Sequence, residues 1–145
     1  MEDLLTHYSG KLYEREQVEQ WDLPKPVQDE LRLNEHDFFF LTSSREKEHG
    51  AQIHVHISLY PAKHGRVYLL EVELPEIKPN ILHETLTALR SNEYDIITST
   101  GFCKHEDLCH YGVFFSVPNK IEDEELQDEI RRIEGVKKVR IFEYT

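Results

Sequence analysis

The second half of the chain, from Arg66 to Thr145, reads strand, helix, strand, strand, helix, strand, with almost no residues left over. That order defines one compact supersecondary unit. Tyr68, Leu70, Val72 and Leu74 alternate along one face of its first strand, while Glu71 and Glu73 point the other way. Leu82, Leu86 and Leu89 recur at helical spacing, and Asn80, after Pro79, reads as the N-cap of that helix. Tyr94 to Thr100 is β-branched and ends at Gly101. Tyr111, Val113, Phe115 and Val117 share one face of the next strand. Leu126, Ile130 and Ile133 form a second helix stripe, with Gly135 placed as its C-cap. Val139, Ile141 and Glu143 close with a last strand.

Val67, Leu69, Phe114, Phe142 and Tyr144 fall on the sheet face turned away from the two helices. A lone unit would leave them in water. An apolar patch of that size meets a partner or another part of the chain. The expectation is a homodimer, or an N-terminal half packed on this sheet.

At 145 residues the chain is one domain or two small ones, and it is long enough to bury a core. Its formal charge is −11, divided as −4 over residues 1–66 and −7 over 67–145. That excess favours solubility and repels polyanions at long range. No apolar run approaches the roughly 18 residues that suggest a membrane span. Met1 to Gly10 lacks the pattern of a signal peptide. With no such signal, the two cysteines are expected as reduced thiols in the cytoplasm.

In the first half, Met1 to Trp21 is polar with weak helical character, and Val27 to Leu33 reads as a short helix. Asp37 to Thr42 is an aromatic-rich strand, and Ser43 to Gly50 a charged loop. Gln52 to Tyr60 alternates strictly, with Ile53, Val55, Ile57 and Leu59 on one face. Pro61 to Gly65 turns into Val67, so the 52–60 and 66–74 strands are expected as a hairpin that extends the second sheet.

The order of elements from Arg66 onward is that of the ferredoxin-like fold, and the residues there resemble the ACT domain, a regulatory module of amino-acid metabolism. The resemblance rests on Leu74-Pro75, on Pro79-Asn80-Ile81-Leu82 followed by Leu86 and Leu89, on Tyr94-Asp95-Ile96, and on Ile133-Glu134-Gly135-Val136. It implies a small effector, an amino acid or similar, bound by Pro79, Asn80, Ile81 and Leu82, although Asn80 stands where the family has glycine. The first half resembles the AbrB/SpoVT swapped-hairpin family of DNA-binding proteins. Gln17-Val18, Leu23-Pro24-Lys25-Pro26-Val27, Leu31-Arg32-Leu33 and Asp37 before Phe38-Phe39-Phe40-Leu41 carry this, with Arg32 and His36 at the two family glycine positions. It implies possible DNA contacts from Lys11, Arg15, Lys25 and Arg32.

Cys103, His105, Cys109 and His110 place four zinc-type ligands within eight residues. The plain alternative is a hairpin connection that happens to carry them, because Cys109 and His110 are adjacent and on a strand face opposite ways. His54 and His56 share a strand face, as a chelating pair or as a polar outer face. No Gly-rich phosphate loop, nucleophile elbow or His-Glu-x-x-His occurs, so an enzyme is not expected. The run Glu122 to Glu125 suits a helix N-terminus.

The sequence therefore predicts an α+β protein with an AbrB-like module over 1–61 and an ACT-like, ferredoxin-like unit over 62–145. The expected role is a ligand-responsive regulator resembling transcription regulators, assembled as a homodimer, with no cofactor. The alternatives are a small-ligand-binding or subunit-bridging module without DNA, and a zinc protein using the Cys/His cluster.

Overall fold

The structure, a computed structural model, describes residues 9–47 and 53–144, with the backbone alone at 44–47, 53 and 54. Within them the order is β1 (Ser9–Glu14), α1 (Arg15–Glu19), α2 (Lys25–Leu31), β2 (Phe38–Lys47), β3 (Ile53–Ala62), β4 (Arg66–Leu74), α3 (Pro79–Ser91), β5 (Asp95–His105), β6 (Leu108–Val117), α4 (Asp123–Arg131) and β7 (Lys138–Tyr144). The strands form two sheets, a three-stranded one of order β1-β2-β3 and a four-stranded one of order β5-β6-β4-β7. Every pairing is antiparallel, and the class is α+β. Among the described residues no helix is long and apolar enough to cross a membrane.

One face of the four-stranded sheet carries α3 and α4. Tyr68, Leu70, Val72 and Leu74 meet Val113 and Phe115 there, beneath Ile81, Leu89, Leu126 and Ile130. The stripe of α3 is rotated from the leucine spacing: Ile81, Thr85, Ala88 and Leu89 are buried, while Leu82 and Leu86 are only partly so. Thr85 fits because its hydroxyl donates to the Ile81 carbonyl at 2.8 Å.

Three punctuation residues act differently from their sequence reading. Pro79 opens α3 with extended Lys78 as its N-cap, so Asn80 lies inside the first turn. Proline's fixed φ and missing N–H suit that first position. Gly101 stands within β5, since a Cβ there would lie 3.0 Å from Ile77 Cδ1 and 3.2 Å from the His110 carbonyl oxygen. Gly135 lies beyond the C-cap Arg132, in the turn to β7 at φ +98°, pressed against Ile81.

The other face of the four-stranded sheet is covered by the N-terminal half. Val67, Leu69 and Phe114 are closed over by Phe40 and Ala62, with Leu12, Phe38, Phe142 and Tyr144 at the margin. The Phe40 ring sits 5.3 Å from Phe114 and 5.6 Å from Tyr144, and Gly10 gives it room, since a Cβ there would lie 2.6 Å from Phe40 Cζ. The molecule is thus three layers: helices, four-stranded sheet, three-stranded sheet.

The expected hairpin between 52–60 and 66–74 does not form. β3 pairs with β2, from Phe38 opposite Ala62 to Lys47 opposite Ile53. Both edges of β4 are taken by β6 and β7, which leaves β3 no place beside it. Ser9 to Glu14 is a strand rather than a weak helix, and residues 43–47 continue β2 rather than forming a loop. The expected loop residues 48–50 lie outside the described residues.

On the far side of the three-stranded sheet, Phe39 is buried, as is Val18 of α1, and Tyr13 meets Trp21 edge-on at 4.7 Å. Farther along the same face, Val55 and Ile57 stay in solvent, 59% and 65% exposed. The alternation of β3 is real, but the apolar side looks outward.

Candidate functional site

Three turns meet at one end of the four-stranded sheet. β4 ends at Leu74 and leads through Pro75 and Glu76 into α3; Glu106 and Asp107 turn β5 into β6; Glu134 and Gly135 precede β7. Between them lies a cleft of about 630 Å³. Of the four residues expected to bind an effector, Asn80 and Ile81 are in its lining, and Pro79 and Leu82 flank them on α3. Ile81 is 3% exposed and forms an apolar floor against Gly135.

The cleft is mostly acidic. Glu76, Glu106, Asp107 and Glu134 contribute carboxylates, against the single ammonium of Lys78, which lies 4.0 Å from Glu76. At the α3 end the Lys78 carbonyl accepts from the amides of Ile81 and Leu82, at 3.1 and 3.2 Å. Pro79 has no N–H, so Asn80 supplies the remaining first-turn donor at a positive helix end. The cleft therefore offers carboxylates to a cationic group and the helix end, beside Lys78, to an anionic one.

Of the four zinc candidates, the structure brings two together. Cys103 and Cys109 face each other across the β5–β6 ladder, with Cα atoms 3.9 Å apart, and are joined as a disulfide rather than standing as the expected reduced thiols. Cys109 Sγ also lies 3.9 Å from the Pro75 carbonyl oxygen, so the bridge packs against the turn opening the cleft. His105 is exposed at the end of β5, and His110 lies on the opposite sheet face, as strand alternation requires. Among the described residues no group of three or more His, Cys, Asp or Glu side chains converges as a metal site. His56 is exposed on β3, and the side chain of His54 lies outside the described residues.

His110 instead joins a polar cluster between the sheets that the sequence reading did not single out. Its ring, 2% exposed, stacks on Phe102 at 5.4 Å, and its Nδ1 is 3.8 Å from Glu71 Oε1. Glu71 is equally buried and pairs with Arg140 across the β4–β7 ladder. Glu71 was assigned to the face expected to be covered, and a carboxylate there was the available signal. The carboxylates of Glu106, Asp107 and Glu134 carried no such signal.

The four candidate DNA-contacting cations lie on the N-terminal half. Arg15 pairs with Asp37 and donates to the His36 carbonyl at 2.9 Å. Lys25 is 3.6 Å from Asp29, and Arg32 is 3.7 Å from Glu35. Lys11 lies over the Tyr13 ring at 5.2 Å. Arg32 also ends α2 with left-handed backbone, φ 51° and ψ 55°. No protein-family model matches this chain, and no characterised protein matches it at a significant level.

Proposed function

We propose that this protein is a ligand-responsive regulator whose ACT-like, ferredoxin-like unit binds an amino acid or similar zwitterion in the cleft beside α3. The carrying observation is the mixed lining of that cleft, where Lys78 and the first-turn amide of Asn80 stand among the carboxylates of Glu76, Glu106, Asp107 and Glu134. An α-carboxylate suits Lys78 and the helix end, and an α-ammonium suits the carboxylates. Ile81 offers an apolar floor to a side chain. The mechanism is population shift. Glu106 and Asp107 belong to the same hairpin that carries Phe102 to the inter-sheet core, so a ligand gripping that turn biases how the two sheets meet.

This reading places the regulated surface in a homodimer rather than on DNA. Arg15, Lys25 and Arg32 each have a carboxylate partner, which speaks against a stripe of free cations for phosphate. The test is calorimetric titration with the common amino acids, together with thermal unfolding. A true ligand at 100 times its Kd stabilises the fold by about 2.7 kcal/mol. Asp107→Lys, in an exposed turn, should abolish binding without altering the fold. If no amino acid binds or stabilises the protein at millimolar concentration, the reading fails.

A further inference from the structure

We infer that the Cys103–Cys109 bridge is a redox switch: a dithiol opens it in the folded protein, and the turn that carries Glu106 and Asp107 to the cleft loosens when it opens. The inference deepens the proposed function and rests on it for its consequence, since it names a regulator of the same site.

Three observations meet at this bridge. The first is what it holds. It encloses residues 104–108, none of which is buried. Beyond it the β5–β6 ladder keeps one pair, His105 opposite Leu108, after a register shift between Cys103 and His105. Neither core packing nor a long ladder fixes this tip, so the covalent link does. Glu106 and Asp107, two of the carboxylates lining the cleft, stand at its end. The second is access. Cys103 is exposed, whereas Cys109 is 3% exposed and faces the Pro75 carbonyl, so an incoming thiolate reaches Cys103. The third is how little the fold needs the link. Disulfides staple domains too small to build a sufficient core. This chain buries two apolar clusters, and its only two cysteines join strands already paired in one ladder, at a sequence separation of 6. Closing so short a loop restricts the unfolded chain little. The bridge therefore constrains the tip far more than the fold.

The exchange balances with an external dithiol as reductant. One thiolate of the reagent attacks the Cys103 sulfur, the bridge bond breaks, and its electron pair leaves on Cys109, which takes a proton. The second thiolate of the reagent then attacks the reagent's own sulfur in the mixed disulfide. The reagent closes as a cyclic disulfide, and Cys103 leaves with the electron pair and takes a proton. The bridge is reduced to two thiols and the dithiol is oxidised to a disulfide. With the bridge closed, Glu106 and Asp107 are held ready at the cleft. With it open, a ligand must order the tip as it binds, and affinity falls.

The experiment compares the intact chain oxidised with glutathione disulfide and the same sample treated with dithiothreitol under native conditions. Alkylation and mass spectrometry should find both cysteines reduced after treatment, with the far-UV circular dichroism unchanged. Amides of residues 104–108 should then exchange with deuterium faster, while those of β4 keep their protection. Cys103→Ser, at an exposed site, should show the fast tip with or without dithiothreitol. A bridge that glutathione disulfide does not form, or that opens only as the chain unfolds, overturns the inference. A tip equally protected in both states overturns it as well. An amino acid that binds the oxidised protein should bind the reduced one about tenfold more weakly, and equal affinities count against the switch. If no amino acid binds either state, the cleft reading fails, and the exchange at residues 104–108 still decides the switch, so the two failures are distinguishable.

Discussion

Phe40→Ala tests whether the two sheets form one cooperative structure or two modules that merely touch. Phe40 is fully buried at the centre of the inter-sheet layer, between Phe114 and Tyr144. Truncating a buried Phe costs about 3–5 kcal/mol, from lost transfer energy and the cavity left behind. Each aromatic pair adds about 0.5–1.5 kcal/mol beyond burial, so the upper part of that range is expected. With a urea slope of about 2 kcal/mol/M, the midpoint should fall by about 2 M. Trp21, the only tryptophan, reports on the N-terminal half, and far-UV circular dichroism reports on the whole chain. A shared core requires both signals to shift together and remain superimposed. If the Trp21 transition moves alone, or the midpoint changes by less than the equivalent of about 1 kcal/mol, the welded-sheet reasoning is refuted.

Arg140→Met removes the cation paired with buried Glu71 and should destabilise by about 3 kcal/mol, whereas Glu71→Leu combined with Arg140→Met should recover most of that loss in urea unfolding. Arg32→Gly should raise stability by about 1 kcal/mol, because glycine adopts the left-handed geometry at the end of α2 without a Cβ penalty, and the exposed pair with Glu35 contributes little; a loss of stability would count against it. Burial first, then the Glu143 and Glu122 carboxylates, raise the Asp123 carboxyl above its ordinary 3.8 despite Lys120. The folded state then holds this proton more tightly, so its contribution is complete below pH 3.8 and is lost as pH rises through the higher folded value. Asp123→Asn should flatten the pH dependence of stability in that window, and carboxyl NMR titration of the wild type checks the direction. Reducing the Cys103–Cys109 bridge, which spans a sequence separation of only 6, should cost at most about 2 kcal/mol, read as a difference in unfolding with and without dithiol.

Alternation and helical spacing are local properties, and what they encode was legible in the chain. The strand at Tyr68 to Leu74 and the helices after Pro79 and Glu122 follow from residues two to four apart. So did the requirement that Val67, Leu69 and Phe114 be covered, because strand geometry sends alternate side chains to opposite faces. Partner choice is not local. The same alternation in β3 fits a hairpin with β4 or with β2, and only the occupied edges of β4 decide between them. β1 was illegible because Leu12 and Tyr13 are its only apolar residues, and its strand character comes from pairing with β2. The cleft divides in the same way. Asn80 and Ile81 were readable from a motif, but Glu106, Asp107 and Glu134 join them from turns far along the chain. A carboxylate's sequence neighbours do not say which helix end it faces. That, and the burial of Glu71 beside His110 and Arg140, was decided when the two sheets and the three turns packed together.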